Sequence, residues 1–201
     1  MARARQVFED AVALQEAGCF AIVFEAIPAE VTDAIMPHIE IPVMGHVGLT
    51  PQTATALGCY RSQGRTAERA LEVLRDAVAL QEAGCFAIVF EAIPSALTEV
   101  IMPRLHVPVI GIGAGPTTDG QVLVFHDLLG IYDGHAGRFV KRYADIRRQM
   151  ISGVGGYVAD VRARRYPEPE HGYTMAPDEI ERLHGLLEGS AGEPFTGGFT
   201  L

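Results

Sequence analysis

Two glutamates, Glu25 and Glu91, each close an apolar run of identical sequence, Ala-Ile-Val-Phe-Glu. A carboxylate held at the end of a buried strand can act as a general base, because packing fixes it and keeps bulk water away. His46 stands between Gly45 and Val47, where a small neighbour lets a ligand come close. Gly111-Ile112-Gly113-Ala114-Gly115 offers main-chain amides to a ligand. No Lys-Ser/Thr follows it, so a P-loop is excluded. Two carboxylates, a histidine and a glycine loop suit proton abstraction or metal chemistry. Each also has a plainer reading. A strand-end glutamate can be solvated and cap the next helix, and a lone histidine can be a hydrogen-bonded structural residue. His126 and Asp127 read as helix-start and core residues, and Arg162 to Arg165 as a solvated helix end.

The elements that must position these residues come largely from a duplication. The run DAVALQEAGCFAIVFEAIP fills Asp10 to Pro28 and recurs unchanged from Asp76 to Pro94. Weaker similarity continues to Val43 and Val109, so 10–43 duplicates 76–109. Packing demands only apolar residues of suitable size, never identity. Each copy reads helix, glycine stop, short apolar strand, proline-started helix, then a second strand. Strands are expected at about 20–25, 42–46, 86–91, 107–112 and 121–125, and helices at 3–17, 29–36, 66–83 and 95–102. A further helical stretch, 138–165, should break near Gly153 to Gly156, and Pro177 opens a last short helix. Thr50-Pro51 offers another helix start, and Gly189 to Leu201 reads as disordered.

Strands alternating with helices predict a parallel sheet covered on both faces. An open doubly wound sheet and a partial (β/α) barrel both fit, and both bind ligands at the carboxyl ends of the strands. The expected division is a barrel-like domain over 1–165 and a tail over 166–201 with one short helix. At 201 residues the chain is short for a closed eight-unit barrel, which needs about 250. The net charge of -9 argues against a nucleic-acid partner. No apolar run spans a bilayer, so no membrane association is expected. The three cysteines lack metal-ligand spacing and read as reduced thiols of a cytoplasmic protein.

From His46 onward the chain resembles the ketopantoate hydroxymethyltransferase family. The resemblance rests on PVMGHVGLTPQ, CYRSQGRT, LQEAGCFAIVFEAIP, VPVIGIGAGPTTDGQVLVFHDLLGI and YPEPEHGY, in that order between Pro42 and Tyr173. It implies a (β/α)8 TIM-barrel fold, here incomplete at about five β/α units. It implies hydroxymethyl transfer from 5,10-methylenetetrahydrofolate to 3-methyl-2-oxobutanoate, giving 2-dehydropantoate for pantothenate synthesis, with Mg2+ as the metal. Glu91 matches the family's general base, and His46 matches a histidine that contacts the keto acid. Glu25 falls near a metal-site glutamate, but Val23 replaces the family's lysine and Ala26-Ile27 replace its glycines. The family's two metal-binding aspartates have no counterpart here. The resemblance therefore also admits an impaired fragment acting as a component of a homo-oligomer. A related lyase or mutase acting on a small 2-oxo acid is a further alternative.

Overall fold

The computed structural model describes residues 2–50, 52, 61–134 and 136–189. The elements are α1 (Ala2–Glu16), β1 (Ile22–Phe24), α2 (Ala29–Ile35), β2 (Val43–Gly48), α3 (Ala67–Glu82), β3 (Ala87–Glu91), α4 (Ser95–Ile101), β4 (Val109–Ile112), β5 (Gly120–Gln121), α5 (Phe125–Leu128), α6 (Ile146–Arg162) and α7 (Pro177–Gly189). Short 3-10 turns follow α2 and α4, at Met36–His38 and Met102–Arg104.

The duplicated sequence builds the same unit twice, down to its hydrogen bonds. Gly18 and Gly84 take left-handed φ of 89° and 94° and stop α1 and α3. Ala26 and Ala92 carry the chain out of β1 and β3 at φ 55° and 50°. The Thr32 hydroxyl donates to the Pro28 carbonyl, and Thr98 does the same to Pro94. The Gln15 side-chain oxygen accepts from Glu40 N–H, and that of Gln81 from His106 N–H. Each glutamine ties its helix to the segment before the second strand of its unit. Even the strand registers match, Ile22 with Val43 and Ile88 with Val109.

All five strands are parallel, in the order β1-β2-β3-β4-β5. A doubly wound sheet reverses strand order at its switch point. Sequential order, with each crossover right-handed, puts the helices on one face, as in a barrel wall. The fold is thus α/β with the wall of a partial TIM barrel. Val43, Ile88, Phe90 and Val109 are fully buried among the helices, with Ala77 and Ile101. Gly45 leaves room there for Leu80, since a Cβ would lie 2.9 Å from its Cδ1.

The expectation of a sheet covered on both faces holds less completely on the second face. Residues alternate across a strand, and on that face His46 and Ala87 are buried, Met44, Val89, Ile110 and Ile112 are half-buried, and Val23 is exposed. Val23 is 50% exposed on the edge strand. Twin positions therefore differ: Phe20 is 90% exposed and Phe86 43%. The fifth strand is corrected, being two residues long, while Phe125 begins a helix. Gln121 turns its amide to the Gly115 carbonyl and the Thr118 hydroxyl, and pairing ends once Val122 N–H has reached Gly111 O. His126 is exposed and Asp127 half-buried, so neither is a core residue.

The chain divides into two compact units, Met1–Arg147 and Arg148–Leu201. In the second unit α6 runs unbroken through Gly153 to Gly156, correcting the expected break. Glycine costs a helix about 1 kcal/mol relative to alanine, so these residues weaken the helix without ending it. Tyr157 and Tyr166 meet edge to face at 5.5 Å, and Arg165 pairs with Asp160. None of the described residues of this unit is buried. Residues 190–201 of the expected disordered tail, and Pro51 of the expected helix start, lie outside the described residues. Among the described residues no helix is long and apolar enough to cross a membrane.

Cys85 is buried, and burial pushes its thiol up to about 11, whereas Cys19 is only half-buried. Both sit in Glu-Ala-Gly-Cys-Phe, so any difference in reactivity reports tertiary position alone. Iodoacetamide at pH 8 should alkylate Cys19 at least about tenfold faster than Cys85, because the thiolate is the nucleophile. Peptide mapping over a time course checks this.

Candidate functional site

Glu91 is the last residue of β3, and its main chain is held from both sides. Leu49 N–H donates to its carbonyl at 3.0 Å. Ala92, at left-handed φ, donates to Ile112 O and accepts from Gln63 N–H. β2 and β3 pair with His46 beside Val89 and Gly48 beside Glu91. His46 and Glu91 are therefore diagonal neighbours on the half-open face, a separation that long side chains can bridge. His46 Nε2 lies 3.2 Å from Glu91 Oε2, with the side chains 2% and 18% exposed. Gly48 lets the backbones of β2 and β3 come close at this point. It sits at φ +100°, and a Cβ there would collide with the Glu91 carbonyl oxygen.

Glu25 occupies the twin position after β1, half-buried. Its Oε2 accepts from Gln52 Nε2 at 2.7 Å. With β2 between them, Glu25 and Glu91 lie roughly 10 Å apart across the sheet. All three sequence-selected residues stand at the carboxyl end of the sheet, but only His46 and Glu91 touch. The glycine loop is closely packed. Gly113, at φ +72°, packs under the Phe139 ring, and Gly115, at φ +86°, packs against Ser95. Its small residues serve close packing within the protein.

A cavity of about 210 Å3 opens beside the strand ends, lined by Ala26, Ile27, His46, Thr50, Asp76 and Leu80. Asp76, Gln52 and Gly48 were not selected from the sequence. Only Gly48 and Gln52 left a signal, as the ends of Gly-Leu-Thr-Pro-Gln. Asp76 lies on α3, and its carboxyl is raised, chiefly by burial and then by the charges of Glu30 and Glu72. Its twin Asp10 instead accepts a hydrogen bond from Gln6. A raised folded-state value means the folded chain keeps a proton that the unfolded chain gives up. Stability therefore falls as pH rises from the ordinary carboxylate range through that raised value. Asp76→Asn should stabilise the fold at neutral pH, by less than about 1 kcal/mol, and the gain should vanish in acid. Thermal melts of both proteins across pH 3 to 8 check the sign.

Mg2+ takes oxygen ligands in near-octahedral geometry, usually including one or two carboxylates. Among the described residues no group of three His, Cys, Asp or Glu side chains could hold a metal ion. The carboxylate expected to be a ligand, Glu25, is engaged by the Gln52 amide. The described residues do not fit the metal.

A singly wound parallel sheet of this order is the wall of a barrel-type α/β fold, and a carboxylate–imidazole pair at its carboxyl end can exchange protons with a ligand. The family model for ketopantoate hydroxymethyltransferase matches residues 1–42 and 36–169, and the chain belongs to that family. The match comes in two overlapping pieces, as a chain with a repeated unit would give. A 3-methyl-2-oxobutanoate hydroxymethyltransferase of Deinococcus radiodurans is 47% identical over 173 residues, covering 85% of this chain and 61% of that protein. Enzymes of the same name from Carboxydothermus hydrogenoformans and Chloroflexus aggregans are 44% and 46% identical, over 62% and 63% of their lengths. The chain thus spans about three-fifths of the length of these curated relatives.

Proposed function

We propose that this chain carries the proton-abstracting half of a 3-methyl-2-oxobutanoate hydroxymethyltransferase site, in the cytoplasmic synthesis of pantothenate. Glu91 takes the proton from C3 of the 2-oxo acid. Water releases the one-carbon unit of 5,10-methylenetetrahydrofolate at the formaldehyde level as its two C–N bonds break, and the enolate carbon adds to that carbonyl carbon, whose oxygen takes up a proton. With water supplying the hydroxyl, the products are 2-dehydropantoate and tetrahydrofolate. The observation that supports this reading is the His46–Glu91 contact at the strand ends, made by two residues of the family's motifs. No step is assigned to Mg2+, since its ligand set is missing among the described residues.

The missing ligand set also favours a second reading, an impaired fragment that works only as a component of a homo-oligomer. The half-exposed sheet face and the free edge of β1 favour self-association, because an unpaired strand edge templates further pairing. Incubation of the purified chain with both substrates and Mg2+ separates the readings. The first expects 2-dehydropantoate to accumulate in proportion to protein. No product, from a folded chain, leaves the second.

A further inference from the structure

His46 is enclosed asymmetrically. Nε2 meets the Glu91 carboxylate at 3.2 Å. Nδ1 is completely buried and has no hydrogen-bond partner, the one such side-chain atom among the described residues. A neutral imidazole carries its proton on one nitrogen, and the hydrogen bond made by the other decides which. A proton on Nδ1 would be a buried donor without an acceptor, and it would leave the Nε2 lone pair facing a carboxylate. Both are costly inside a protein. A proton on Nε2 makes a charge-assisted hydrogen bond and leaves only a bare lone pair buried. With its side chain 2% exposed, His46 is covered by protein on nearly every side, and only a small part of it borders the cavity beside the strand ends.

We infer that His46 is a positioning residue, a neutral imidazole in the Nε2–H form that donates to Oε2 of Glu91 and turns Oε1 toward the proton to be removed. The positioning role rests on the function proposed above, and the tautomer does not. It differs from a substrate contact, the role that the resemblance assigns to this histidine. A base misplaced by a fraction of an ångström abstracts a proton poorly however well the substrate binds.

Two measurements on the full chain test this. In the first, histidine is labelled with 15N, and the His46 signals are assigned by their loss in His46→Gln. The expected spectrum near neutral pH shows Nε2 bonded to a slowly exchanging proton and Nδ1 with the shift of an unprotonated ring nitrogen. A proton on Nδ1, or the averaged signals of a freely exchanging imidazole, would overturn the assignment. This result needs no turnover, so it stands whether or not the proposed reaction is found.

The second measurement follows deuterium exchange at C3 of 3-methyl-2-oxobutanoate. The Gln amide in His46→Gln reaches about as far as Nε2, whereas the shorter Asn amide reaches only to Nδ1. His46→Gln should keep kcat within about tenfold, and His46→Asn should lose about a hundredfold, both with KM unchanged. A raised KM in both variants, with kcat retained, would make His46 a substrate contact instead.

Discussion

Glu91→Gln should lower the rate of C3 deuterium exchange by about 10²- to 10⁴-fold, the usual contribution of a positioned general base. Glu25→Gln should lower it by less than about tenfold, since nothing assigns Glu25 a proton transfer. The two glutamates share every neighbour in sequence from Asp10 to Pro28 and from Asp76 to Pro94. Their difference is therefore tertiary. Glu91 faces His46, follows a strand paired on both sides, and has its carbonyl fixed by Leu49 N–H. Glu25 follows the edge strand and is engaged by Gln52. An amide at position 91 can still hydrogen-bond to His46 but cannot accept the C3 proton, so folding should survive and exchange should not. Circular dichroism and proton NMR on both variants check the two halves of the prediction.

Gly48→Ala should destabilise the protein by about 3 kcal/mol or more, within the range reserved for strained or overpacked sites. The cost has two parts. Gly48 sits at φ +100°, a conformation that side-chain-bearing residues adopt only with strain. The added Cβ would also collide with the Glu91 carbonyl oxygen and force β2 from β3, breaking the Leu49 N–H bond. For a chain of this size the melting temperature should fall by about 10 °C. Gly153→Ala is the control. Nothing lies within 4 Å of a Cβ at Gly153, which is in α6, so the change should be neutral or stabilising by up to about 1 kcal/mol. Thermal melts of the three proteins decide the comparison.

The alternation of strands and helices was legible because both periods are strong in the duplicated units. Glycine stops and proline starts then placed α1 to α4 within a few residues. The fifth strand is shorter than its sequence suggests because Val122-Leu123-Val124 is apolar enough for a strand, while the Gln121 amide turns back to Thr118 and Gly115 and the ladder ends there. The less complete cover of the second sheet face is not visible in the sequence either. Val23, Met44 and Val89 are as apolar as the core, and sequence does not say what lies opposite them. Within the site, His46 and Glu91 were recognisable as strand-end residues of familiar motifs. Their contact depended on register, which pairs Gly48 with Glu91 and so puts the two side chains on one face. Glu25 looked equivalent to Glu91 because the local sequence is the same. Gln52, which engages it, acts through space from beyond β2.

The most direct test of the central claim, that Glu91 of this chain removes the C3 proton of a 2-oxo acid, is exchange without folate. The purified chain is incubated with 3-methyl-2-oxobutanoate in D2O, and loss of the C3 proton is followed by proton NMR beside a protein-free control. The account predicts exchange faster than the control with wild type and equal to the control with Glu91→Gln. Exchange that is undiminished in Glu91→Gln, or absent from a folded wild-type chain, would contradict it.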